Sequence, residues 1–186
     1  LPLVKLAFQS FDSDYDEINE GFSDDNFSIA TVNGVDVGFI FTNVLDTFRP
    51  GEEILWVSKL AVRHDIQASG IGGRLLAACK ATKWLGCTTQ NPALVRLFQS
   101  QCTGVYPIDA SYAQFPELLE YAKSRVDACS TSDSHGLVAG LFGEQLGTFD
   151  KKLEFNQLHS VLETLGFQFQ RGDALVLIGD RRPQAA

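Results

Sequence analysis

Ile54-Leu55-Trp56-Val57-Ser58-Lys59-Leu60-Ala61-Val62, followed by Arg63-His64-Asp65-Ile66 and then by Gln67-Ala68-Ser69-Gly70-Ile71-Gly72-Gly73, is the stretch on which the reading of this chain turns. Its first nine residues are a mainly apolar run that reads as a strand, and its last seven are a glycine-rich turn that opens a helical pattern. A strand feeding such a turn aligns free backbone N–H groups where the helix dipole is positive, which is a ready site for phosphate oxygens. The charge pattern agrees. From Ile66 to Ile108 there is no Asp or Glu, whereas Arg74, Lys80, Lys83 and Arg96 fall inside. In a chain of net charge −8 this is a local reversal, and a polyanion site needs one because a like-charged wall repels its ligand.

Towards the N-terminus, Phe27 to Val32 and Val35 to Phe41 are β-rich runs joined by Asn33-Gly34. Asn-Gly between such runs predicts a hairpin, since both turn residues must accept positive φ. Towards the C-terminus, the helix from Gly70 is expected to bury a stripe of Ile71, Leu75, Cys79 and Thr82. Leu85 to Thr89 reads as a short buried strand. Asn91-Pro92 starts a second helix, with Asn as N-cap and Pro at the first helical position, and Leu94, Leu97 and Phe98 form its apolar face. Phe115 to Val126 reads as helix, Ser130 to Gly136 as loop, and Leu153 to Leu165 as a helix closed by Gly166. Phe167–Gln170 and Ala174–Ile178, around Arg171-Gly172-Asp173, read as a final hairpin.

With 186 residues, 45% of them hydrophobic, the chain can bury a sizeable core as one domain. No apolar run approaches the ~20 residues of a membrane span, and no signal peptide is visible. Cys79, Cys87, Cys102 and Cys129 lack C-x-x-C spacing, and the three histidines form no ligand pair, so no metal site is expected. The cysteines fit buried small hydrophobes in a reducing cytoplasm. The acidic balance argues against nucleic-acid binding, which wants a basic face.

These residues resemble the GNAT superfamily of acyl-CoA-dependent N-acetyltransferases. Leu60-Ala61-Val62 and Gln67-Ala68-Ser69-Gly70-Ile71-Gly72 match its strand end and its [Gln/Arg]-x-x-Gly-x-[Gly/Ala] loop. Asn91-Pro92-Ala93 with Leu97-Phe98 match its second element, and Val32-Asn33-Gly34 through Val37-Gly38-Phe39 its earlier hairpin. Together they cover about 27–104. The resemblance implies one α+β domain over 1–186, a central mixed β-sheet flanked by helices. Residues 27–104 would be the acyl-CoA-binding core, and 105–186 an extra helical C-terminal elaboration with closing strands. It implies acetyl-CoA, or another acyl-CoA, with its pyrophosphate on Gln67, Ala68, Ser69, Gly70, Ile71, Gly72, Gly73 and Arg74. Its pantetheine arm would lie along Leu60, Ala61 and Val62, with Asn91 and Phe98 facing it. A Rossmann site fails for want of a third glycine and an acid ~20 residues later, and a P-loop fails for want of Gly-Lys-Ser/Thr.

Acetyl transfer to an amine needs a base and is helped by a donor to the departing thiolate. Where the family often carries a base, this chain has Trp56, and where it carries a donor Tyr, Phe98. The nearest candidate bases are His64, Glu53 and Glu52. Alternatively, proximity alone drives transfer, or the protein binds acyl-CoA without catalysing transfer. Asp12, Asp14, Asp16, Glu17, Glu20, Asp24 and Asp25 crowd a segment free of Lys and Arg. They read either as an acidic wall for a cationic acceptor or as a solvated face. The expected function is acetyl-CoA-dependent N-acetylation of a small cationic molecule or a protein amine in the cytoplasm, with no membrane or nucleic-acid partner. The tail adds closing strands and a lid or homodimer surface.

Overall fold

A computed structural model describes residues 26–46, 49–109, 115–143 and 159–183. Strand β1 (Asn26–Val32) and strand β2 (Val35–Asp46) form the hairpin expected at Asn33-Gly34, whose φ angles are 51° and 76°. β3 (Glu53–Val62) pairs antiparallel with β2. Helix α1 (Ile71–Ala78) then crosses to β4 (Trp84–Thr89), which runs parallel to β3. Helix α2 (Pro92–Gln101) leads into β5 (Cys102–Tyr106). Helix α3 (Phe115–Arg125), the two-residue strand β6 (Leu137–Val138) and helix α4 (His159–Thr164) precede β7 (Ala174–Arg181). β7 inserts between β4 and β5, giving the order β1-β2-β3-β4-β7-β5, and β6 shares the β5 edge of β7. This is the mixed α+β architecture that the resemblance implies.

The central strands read as unbroken apolar runs because both faces of the sheet are covered. Along β7, Leu175 and Leu177 face α1 and α2, while Ala174, Val176 and Ile178 face α3. Along β3, Leu55 and Val57 alternate in the same way with Ile54 and Trp56. The Trp56 indole packs against Gly86 of β4, where a built Cβ would sit 2.6 Å from its Cζ3 atom. Glycine there is what lets an indole enter the sheet face, so Trp56 is a core residue of the α3 side.

Three local expectations change. α1 stops at Ala78, so Cys79 and Thr82 leave its stripe, and Ile71, Leu75 and Leu76 form its buried face. The buried Arg181 guanidinium ends it, donating from Nη2 to the Leu76 carbonyl at 3.0 Å and from Nη1 to the Lys80 carbonyl at 2.6 Å, a cation where the helix dipole is negative. On α2 the fully buried positions are Pro92, Val95 and Phe98, with Leu94 and Leu97 half-buried. The final hairpin does not form: Phe169–Arg171 is a single 3-10 turn. The Asp173 carboxylate bends the chain there by accepting the Gln168 amide and the Arg171 guanidinium. Of the expected helix 153–165, the part before His159 lies outside the described residues, as does the acidic segment 12–25.

Candidate acyl-CoA site

The parallel ladder between β3 and β4 runs only from Ile54↔Trp84 to Val57↔Cys87, although both strands continue. The sheet therefore splits. The split starts at a β-bulge: Phe41 pairs with Lys59 and Thr42 with Val57, which leaves Ser58 as an extra residue on β3. A bulge bends its strand and raises local twist, which turns the last part of β3 away from β4. The exposed Ser58 hydroxyl at this apex accepts a hydrogen bond from Asn43 Nδ2 at 3.2 Å.

Beyond the bulge, β3 keeps only its β2 partner. The Arg63 amide donates to the Val37 carbonyl at 2.8 Å. Because successive residues alternate direction, the peptide groups of Leu60 and Val62 point the other way, into the split. The Val62 carbonyl is met there by Gln67 Nε2 at 3.1 Å. One wall of the split is thus an open strand edge, able to pair with an extended ligand.

At the mouth stands the glycine-rich loop. Its amides at Ile66 and Gln67 close a 3-10 turn onto Arg63 and His64, and the first helical hydrogen bond is from Arg74 to Gly70, at 3.1 Å. Six consecutive amides, Ala68 to Gly73, have no hydrogen-bond partner among the described residues. Two of these residues hold positive φ, Gly70 at 80° and Ala68 at 65°. The second is a strained conformation for an alanine, of the kind that concentrates at binding sites. Built Cβ atoms on Gly72 and Gly73 would stand 3.7 and 3.8 Å from Leu97 of α2, so glycine keeps the floor between the two helices low.

Charge around the loop is more local than the sequence pattern suggests. Lys80 pairs with Glu53 at 2.7 Å and Lys83 with Asp180 at 3.0 Å, both at the opposite end of the sheet. Arg74 projects from the first turn of α1 and makes no ion pair among the described residues. Arg63 is held by Asp65 through two hydrogen bonds of 2.6 and 2.8 Å. That contact raises the Arg63 pKa and lowers the Asp65 pKa from their ordinary values.

The structure brings together Leu60, Ala61, Val62 and residues 67–74, at the mouth and along one wall. Asn91 stands at the start of α2 beyond the other wall, β4. Its Oδ1 accepts the Ala93 amide at 2.9 Å, which leaves its Nδ2 as the group available to a ligand. Phe98 is fully buried among the residues of the α1–α2 side. The three candidate bases are not gathered at the apex. His64 is exposed beside the loop. Glu52 accepts the indole N–H of Trp84 at 2.8 Å, and Glu53 holds Lys80. Five residues of extended strand, about 17 Å, separate Glu53 from Ser58. Tyr106 donates its hydroxyl to the Ser134 carbonyl. All four cysteines are free thiols; burial pushes Cys102 up to about 12 and Cys129 up to about 11, which leaves both inert at neutral pH.

Several residues that shape the site carried no legible signal. The bulge at Ser58 has none in the sequence. Gln90, at the end of β4, sits buried and donates to the carbonyls of Phe169 and Asp173. The Arg171-Gly172-Asp173 run carries a turn signal, but nothing in it foretells the ion pair between exposed Arg171 and buried Asp173 that holds the turn.

No protein-family model matches the chain, and no curated protein does. Solved structures do. A GNAT family acetyltransferase from Elizabethkingia anophelis with acetyl-CoA bound is similar over 96% of this chain and 88% of its own, at 16% identity and a TM-score of 0.44. An IAA acetyltransferase from Bacillus cereus is similar over 56% of this chain and 71% of its own, at 21% identity and a TM-score of 0.41. A ribosomal-protein-alanine N-acetyltransferase from Brucella melitensis is similar over 41% and 56%, at 26% identity and a TM-score of 0.33. Among the described residues, no helix is long and apolar enough to cross a membrane.

Proposed function

We propose that the split between β3 and β4 holds acetyl-CoA or another acyl-CoA, and that the chain transfers the acyl group to an amine. The observation that carries this is the end of the parallel ladder at Val57/Cys87 above six loop amides that have no hydrogen-bond partner among the described residues. An extended amide-bearing arm matches the open edge at Leu60 and Val62, and a diphosphate matches the loop and Arg74. The acyl end would then lie near the bulge at Ser58. There the amine lone pair attacks the thioester carbonyl carbon, the C–S bond breaks, and the ammonium proton passes to water or to the departing thiolate. None of Glu52, Glu53 and His64 is placed at the apex, so the transfer rests on proximity with solvent as proton carrier. The acceptor is an amine of a small cationic molecule or a protein.

A second reading, acyl-CoA binding without transfer, is favoured by Phe98, which has no proton to give at the position where the resemblance implies a tyrosine donor. Two measurements separate the readings. CoA at ~100 times its Kd should stabilise the fold by about 2.7 kcal/mol, about 5–11 °C in Tm for a chain this long. Thiol release from acetyl-CoA with a broad panel of amines then reports transfer. Binding without release selects the second reading, and no thermal shift removes both.

A further inference from the structure

The second wall of the split is β4 from Thr88 onward, and its position is set from the inserted segment between β5 and β7. Asp173 is fully buried, and its carboxylate ties the turn at 168–171 to the loop at Gly140: it accepts the Gly140 amide at 2.9 Å, the Gln168 amide at 2.8 Å and the Arg171 guanidinium. Gln90 reaches into this knot, donating to the Asp173 carbonyl at 3.2 Å and the Phe169 carbonyl at 3.3 Å. The neighbouring residues carry the connection on to α2. Asn91 donates its amide to Thr89 Oγ1 at 2.9 Å, and its side chain caps the first turn. From Thr88 onward β4 has lost β3 as a partner and keeps only β7. Beside the β7 ladder and the Thr88–Cys129 contact, Gln90 therefore moors this end of the wall to the turn before β7.

We propose that Gln90 is a positioning residue for the acyl-CoA split: tied to the Arg171–Asp173 pair, it fixes how far the β4 end and the α2 start stand from β3. This rests on the acyl-CoA reading of the split. Gln90 touches no ligand in it; it acts through Thr89 and Asn91.

The test is CoA titration by calorimetry on the full chain, at a temperature where near-UV circular dichroism shows every variant folded. Gln90→Leu keeps the volume and removes the donor; Asp173→Asn weakens the knot beneath it. Thr82→Val removes one hydrogen bond, from Thr82 Oγ1 to the Trp84 carbonyl, at the opposite end of β4, and serves as the control for general softening. The expected result is a Kd raised about tenfold by Gln90→Leu and Asp173→Asn and unchanged by Thr82→Val, a free-energy difference of about 1.4 kcal/mol. Gln90→His, which can still donate, should recover part of the affinity. An unchanged Kd in Gln90→Leu overturns the inference, and so does an equal rise in Thr82→Val. Failure of the unsubstituted chain to bind CoA sinks the site reading itself, and the inference with it.

Discussion

Alanine placed at Gly70 and at Gly72, two residues apart in one loop, should move stability in opposite directions. Gly70 holds φ 80° and ψ 4° with nothing within 4 Å of a built Cβ, so the penalty there is conformational. A left-handed alanine costs about 1–2 kcal/mol, which lowers Tm by about 2–8 °C for a chain this long. Gly72 is a helical position whose built Cβ meets Leu60 and Leu97 at 3.7 Å and Val62 at 4.0 Å, ordinary contact distances. Removing a helical glycine there should gain about 0.5 kcal/mol, or about 1–2 °C. Bulk is another matter: Gly72→Leu would drive its side chain between β3 and α2 and close the floor of the split. Scanning calorimetry of the ligand-free variants gives the two signs, and CoA titration gives the third effect, full affinity in Gly72→Ala and loss in Gly72→Leu. Equal signs for the two alanines would refute the conformational argument. Retained CoA affinity in Gly72→Leu would refute the placement of the ligand.

Gly86→Ala should cost about 2–3 kcal/mol by overpacking against Trp56, and pairing it with Trp56→Leu should recover most of the loss in urea unfolding. For Asp173, burial raises the pKa, but Arg171 and the amides of Gln168 and Gly140 outweigh it, so the net shift is downward. Its contribution is therefore present above the unfolded carboxylate pKa of about 3.9 and is lost as pH falls through the lower folded value. Urea midpoints from pH 2.5 to 7 should show the gap between the unsubstituted chain and Asp173→Asn closing only below about pH 4; a gap constant across that range would contradict the shift. Alkylation at pH 8 should modify the half-buried Cys79 before Cys87, Cys102 and Cys129, whose thiols burial holds protonated. Peptide mapping checks the order.

Local pattern made the hairpin at Asn33-Gly34, the strand ending at Val62, the glycine loop and the Asn91 cap legible, because each depends on a few neighbouring residues. What was illegible depends on partners far along the chain. α1 ends at Ala78 because Arg181, a hundred residues on, takes the Leu76 carbonyl and, just past the helix, that of Lys80. Phe167 to Gln170 looks like a strand, yet Asp173 and Gln90 hold it in a turn. The candidate bases were chosen by nearness in sequence, but a strand of ten residues carries Glu53 to the far end of the sheet. Trp56 sits where it does because Gly86 leaves room, a relation that periodicity does not reveal.

The lodging of β7 between β4 and β5 has a temporal consequence. Until residues 174–181 emerge, β4 and β5 have no common neighbour and each presents a bare edge. Assembly must wait for contacts nearly a hundred residues apart, such as Trp84 with Asp180, and closures of that span slow folding and leave intermediates open to aggregation. A nascent chain halted before Ala174 should therefore be a client for chaperones, whatever the rest of its sequence favours.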